Sequence, residues 1–102
     1  MKKGCGGPYM EVKVTLKEVE TFLAVCRTGG FLKAGKALGT TQANVSKIIA
    51  KMEKSLGVQL FARARNGASL TPDGEYVRLY AEQIERIAKR IRAVREEEAE
   101  AI

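Results

Sequence analysis

Apolar residues recur at spacings of three and four through most of this chain, the period of helices that bury one face. Leu16, Val19, Phe22, Leu23 and Cys26 make the first such run. Thr15-Leu16-Lys17-Glu18 has the form of a capping box, Thr15 as N-cap and Glu18 at the third helical position, so a helix is expected to about Thr28. Gly29-Gly30 stops it. A second helix is expected from about Leu32 to Leu38, with Phe31, Ala34, Ala37 and Leu38 inward and Gly39 as its break. Thr41 then caps a third, which Gly57 ends in a left-handed conformation. There Val45, Ile49, Met52 and Leu56 share one stripe, while Ala43, Ser46, Lys47, Ala50, Lys51 and Lys54 point the other way.

After Gly57 the pattern shortens. Val58, Leu60 and Phe61 form a small apolar patch, followed by Ala62-Arg63-Ala64-Arg65, Asn66-Gly67 and Ala68-Ser69-Leu70. Asn-Gly between two short segments predicts a hairpin, because both residues tolerate the positive φ of a type I′ turn. Thr71-Pro72-Asp73 then opens a helix reaching roughly Glu98, with Thr as cap, Pro at the first position and an acid in the first turn. Val77, Tyr80, Ile84, Ile87, Ile91 and Val94 along it form a heptad seam. Such a seam packs either on its own domain or on a second copy. The helix is too long for so small a domain to cover, so a homodimer is expected. Three parts result: a Gly- and Lys-rich flexible segment 1–14, with Glu11–Val14 as a short extended stretch; a folded unit 15–71; and a linker or dimerisation helix 72–102.

Composition narrows this further. A chain of 102 residues makes one domain, and few aromatics with much Ala, Val, Leu and Ile favour a mainly α fold. The net charge of +6 is unevenly placed: through Thr71 there are 12 basic and 4 acidic residues, and from Pro72 onward 6 basic and 8 acidic. Only the front part is therefore expected to meet a polyanion. Cys26 reads as a small buried hydrophobe, and Cys5 lies in the Gly-rich start. Two thiols and no histidine leave no disulfide framework, no metal site and no cofactor to expect. No nucleophile arrangement or phosphate loop is present, so no catalytic residue and no enzyme is expected. The Met-Lys-Lys start lacks the apolar run of a signal peptide, and no segment approaches membrane-spanning length. A cytoplasmic protein without a membrane partner follows.

Three helices with short connections, the last two separated by a tight turn, make a helix-turn-helix pattern. A small hairpin with arginines on its arm directly after it is a wing. The ordered set Leu16, Phe22, Gly29, Phe31, Ala34, Leu38, Gln42, Val45, Ser46, Ile49, Glu53, Leu56-Gly57, Leu60-Phe61, Arg63, Leu70-Thr71 and Gly74 resembles the amino-terminal domain of LysR-type transcriptional regulators. The resemblance runs from Leu16 to about Val94 and includes the linker helix. Gln42, Ser46 and Leu60-Phe61-Ala62-Arg63 fit that family better than the related molybdate-responsive regulators. Five positions depart from the usual pattern. Gly30 and Leu32 stand where Ser or Thr is common, Gly35 replaces an Ala, Ala43 replaces a Pro, and Asn66 stands where the wing often has Arg.

The resemblance implies a sequence-specific, dimeric, DNA-binding transcription regulator of bacterial type. Its recognition helix, 41–56, would lie in the major groove, with its wing, 62–69, at the flanking minor groove. Gln42 would pair with adenine, Ser46 would reach a base edge or phosphate, and Ala43 would pack on a thymine methyl. Thr41 and Asn44 lie near the same end, Asn44 to one side, and Lys47 would donate to guanine or, preferably, to phosphate. Lys33 and Lys51 would anchor the backbone, and Arg63 and Arg65 would approach the minor groove or its phosphates. Full family members carry an effector domain after the linker helix, so any effector is expected to bind outside this chain. Two other readings fit the basic face: a winged-helix module for an acidic protein partner, and a non-specific architectural DNA binder.

Overall fold

The structure is a computed structural model and describes residues 13–64 and 67–101, with side chains to Val94. Helix α1 (Leu16–Thr28) starts at the expected capping box: Glu18 donates its N–H to Thr15 Oγ1 at 3.1 Å, and Thr15 donates its own to Glu18 Oε1 at 3.0 Å. Gly29 ends it at φ +84°. Helices α2 (Phe31–Leu38) and α3 (Gln42–Leu56) follow, each ended by a left-handed glycine, and α2 begins one residue before Leu32. Strands β1 (Phe61–Ala64) and β2 (Gly67–Leu70) pair antiparallel, and α4 (Pro72–Ala101) completes the chain. This is a mainly α winged helix-turn-helix with a long helix appended.

The core is shared by every element. Val19, Phe22, Leu23 and Val25 of α1 meet Phe31 and Ala34 of α2, and Val45, Ile49 and Met52 of α3. Leu60 and Phe61 close it from the wing side, and Ala81 of α4 from another. Four positions expected inward are exposed: Leu16, Ala37, Leu38 and Leu56. Leu16, Leu38 and Leu56 are the terminal residues of their helices. Ala37 lies off the stripe that Phe31 and Ala34 define, and the buried residue there is Gly35. A Cβ on Gly35 would sit 3.0 Å from the Thr41 carbonyl carbon and 3.1 Å from the Thr40 oxygen, so the missing side chain lets the turn into α3 pack directly on α2. Cys26 is half-buried, and burial pushes its thiol up to about 11, as suits an apolar filler.

The hairpin register differs from the Asn-Gly expectation. Gly67 pairs with Ala64 as the first residue of β2 and so belongs to a strand, while Arg65 and Asn66 lie outside the described residues. Ala68 donates its N–H to Gly29 O at 3.3 Å, and a Cβ on Gly67, whose φ is +138°, would stand 2.7 Å from that same oxygen. Cys5 and nearly all of the segment 1–14 also lie outside the described residues. Val14 packs half-buried against the core, with no strand there.

Thr71 joins the wing to α4. Its hydroxyl accepts the Gly74 N–H at 2.9 Å and donates to Gln59 O at 2.5 Å, while its N–H donates to Leu60 O at 3.0 Å. Gly74 is buried at this junction, and a Cβ on it would clash with the Leu60 carbonyl oxygen. Val77, Ala81 and a two-pronged Arg27–Glu85 ion pair, at 2.9 and 2.8 Å, then seat the first half of α4. Beyond Val77 the heptad seam does not enter the core: Tyr80, Ile84, Ile87, Ile91 and Val94 are 44% to 69% exposed.

Candidate nucleic-acid interface

Helix α3 buries Val45, Ile49 and Met52 and so turns its opposite face outward. Ala43, Lys47 and Lys51, four residues apart, fall in one exposed row. The helix carries one carboxylate, Glu53, and it is engaged elsewhere: its Oε2 accepts the N–H of Leu60 at 2.7 Å and of Phe61 at 3.3 Å. Lys47, Lys51 and Lys54 are thus left without an acidic neighbour on their own helix. Helix α2 contains no acid at all.

Thr41 caps α3, its hydroxyl accepting the Asn44 N–H at 3.0 Å. The Asn44 side-chain amide donates to Thr40 Oγ1 at 3.0 Å, so half of that amide is committed to closing the turn. Gln42 is exposed and makes no hydrogen bond through its side chain among the described residues. Its full amide is therefore free. Ser46 is half-buried one turn further on.

Between the start of α2, the start of α3 and the wing lies an open cleft of about 440 Å³. It brings together Lys33, Gln42, Ser46 and Arg63, four of the residues singled out from sequence. Lys47, Lys51 and Asn44 lie on α3 outside it, and Arg65 is not among the described residues. Phe31, Leu32 and Ala64 also line the cleft and were not singled out as site residues. The Phe31 spacing marks it as core, which it is, at 7% exposed; that the guanidinium of Arg63 would stand over its ring, 4.4 Å from the centroid, had no signal in the local sequence. Gly30, the N-cap of α2, offers no side chain to its first-turn N–H groups. The positive end of that helix therefore has no side-chain cap.

A helix-turn-helix with a basic, acid-free outer face, a docked wing and a trailing helix defines a winged regulatory domain. The model of bacterial regulatory helix-turn-helix proteins of the lysR family matches residues 16–75, and the chain belongs to that family. An HTH-type transcriptional regulator of Methanocaldococcus jannaschii is 43% identical over 65 residues, 64% of this chain and 22% of that protein. HdfR of Yersinia enterocolitica is 46% identical over 66 residues, 65% of this chain and 22% of its own length. The chain thus matches about a fifth of each relative. Among solved structures, the CbnR_DBD–DNA complex superimposes with a TM-score of 0.76 at 27% identity, over 87% of this chain and 100% of that one. The BenM_DBD/catB site 1 DNA complex gives 0.79 at 27% identity, over 84% of this chain and 96% of that one. Among the described residues, no helix is long and apolar enough to cross a membrane.

Proposed function

We propose that this chain is the DNA-binding part of a sequence-specific transcription regulator, with residues 15–71 as the reading unit and 72–102 as a dimerisation helix. The observation that carries this is the exposed, acid-free amino-terminal half of α3, where an unpaired Gln42 amide stands beside a basic cleft. Likeness to two proteins solved as DNA complexes supports it. The helix enters the major groove by its first turn. Gln42 pairs with adenine N6 and N7, Ala43 packs on a thymine methyl, and Ser46 bonds a base edge or phosphate. Thr41, Lys33, Lys47 and Lys51 bind phosphates, and so does the uncapped start of α2. Asn44, half engaged by Thr40, has one N–H and its carbonyl left for a contact. Arg63 and Arg65 serve the flanking groove.

The unpartnered stripe Tyr80, Ile84, Ile87, Ile91 and Val94 is where a second copy pairs, with Val77 at its edge. Two recognition helices then read an interrupted inverted repeat with half-sites about one helical turn apart.

The test is selection of bound duplexes from a random-sequence pool, with the enriched sites titrated at two salt concentrations. An interrupted palindrome whose binding weakens steeply with salt is expected. Unselective binding would leave an architectural role, and no binding at low salt would favour an acidic protein partner.

A further inference from the structure

We propose that Phe31 is a positioning residue for Arg63, holding the guanidinium over its ring so that the cation meets DNA already oriented; this rests on the DNA-binding reading above. The guanidinium carbon stands 4.4 Å from the Phe31 ring centroid, within the range where the ring quadrupole attracts a cation. The ring is itself fixed. Its edge meets Phe61, centroids 5.6 Å apart at 73°, and Phe61 meets the fully buried Phe22 at 5.3 Å. The backbone of Arg63 is fixed as well, since it pairs with Ala68, whose N–H is bound to Gly29 O. A long side chain that would otherwise sample many rotamers is thereby tied at both ends to the core.

An aromatic ring does this differently from a carboxylate. Among the described residues Arg63 joins no ion pair, so its charge is not neutralised before DNA arrives. The guanidinium N–H groups of Arg63 bond no acceptor among the described residues, which leaves them for phosphate or base oxygens. The ordering cost of a rotamer-rich side chain is then met on folding and does not weaken binding. The cleft that Arg63 lines also holds Lys33, Gln42 and Ser46. The orientation of Arg63 is thus set relative to the recognition helix and not only to the wing.

A double-mutant cycle on the described chain tests this, with Phe31→Leu, Arg63→Ala and the double variant titrated on a duplex the parent selects. Phe31→Leu keeps an apolar side chain and removes the π face, and is expected to weaken binding about 2- to 5-fold. On the Arg63→Ala background the same change is expected to cost nothing further. Phe31→Tyr, which keeps the ring, should restore parent affinity. In the free protein, NMR should show the Arg63 side-chain protons shifted upfield by the ring current, a shift lost in Phe31→Leu and kept in Phe31→Tyr. Should Phe31→Leu unfold, a ring-fluorinated phenylalanine at that position, which drains the π face at nearly constant shape, is expected to give the same loss. Additive losses in a parent that binds DNA would overturn the positioning role alone. A parent that binds no duplex would overturn the DNA reading and this role with it, while the ring-current shift would still report whether Phe31 holds Arg63.

Discussion

The Glu53 carboxylate, near the end of the recognition helix, accepts the backbone N–H groups of both Leu60 and Phe61 at the mouth of the wing. Those two residues are buried, 0% and 2% exposed, so no water replaces the acceptor once it is removed. One side chain therefore sets the angle at which the wing leaves α3. Glu53→Ala is expected to destabilise the fold by about 1–3 kcal/mol, the cost of buried donors left unsatisfied. Urea denaturation measures it, and Glu53→Gln, which keeps an acceptor oxygen, should lose less. Equal losses in the two variants would show that the bonds to Leu60 and Phe61 are not what Glu53 contributes.

The Arg27–Glu85 pair should make stability pH-dependent in a defined direction. The hydrogen bonds from Arg27, reinforced by its charge and that of Lys89, hold the Glu85 carboxyl below the usual carboxylate range. A pKa depressed in the folded state stabilises the fold above the unfolded value of about 4.3, and that contribution is lost as pH falls through the folded value. Because the pair is partly exposed and screened, its worth is less than about 1 kcal/mol. The difference in denaturation midpoint between parent and Glu85→Gln should be present at neutral pH, vanish in acid and shrink in high salt. A difference that survives protonation would assign the effect to packing.

Gln42 is solvent-exposed with its amide unengaged, so its removal is not expected to touch the fold. Gln42→Ala should leave the melting temperature unchanged, relax base preference at one position of each half-site and cost about 1–3 kcal/mol on the selected duplex. Repeating the selection with the variant is the check, and an unchanged consensus would remove Gln42 from base reading.

Ile84 sits at the middle of the exposed stripe, 44% accessible in a single chain. Ile84→Lys should yield monomers in sedimentation while leaving helical content intact, because the side chain contributes nothing to the core of its own chain. Persisting dimers would place the interface elsewhere.

Much of this molecule was legible from local pattern. Capping residues, helix-ending glycines and three-and-four spacing place all four helices within a residue or a few, because these signals act over one or two turns of backbone. The buried stripe of α3 at Val45, Ile49 and Met52, and hence its outward basic face, follows from the same periodicity. Local pattern fails at helix ends, as at Leu16, Leu38 and Leu56, which periodicity places inward and packing leaves exposed, and in the register of the hairpin. The Asn-Gly pair is a correct hairpin signal, yet Gly67 is the first residue of β2, where it lies against the Gly29 carbonyl.

The sequence by itself determined the elements, the charge asymmetry and the family, since each rests on residue types at short or ordered spacings. Tertiary structure alone decided how they are joined. Glu53 reaches the wing across seven residues, Arg27 and Glu85 meet from opposite halves of the chain, and Arg63 settles over Phe31. Such contacts depend on the relative placement of packed helices, which periodicity within one element does not encode. The same placement leaves Tyr80 and Ile84 in solvent, on a face turned away from the one that Val77, Ala81 and Glu85 present to the core and α1, and leaves Ile87, Ile91 and Val94 in solvent beyond Glu85.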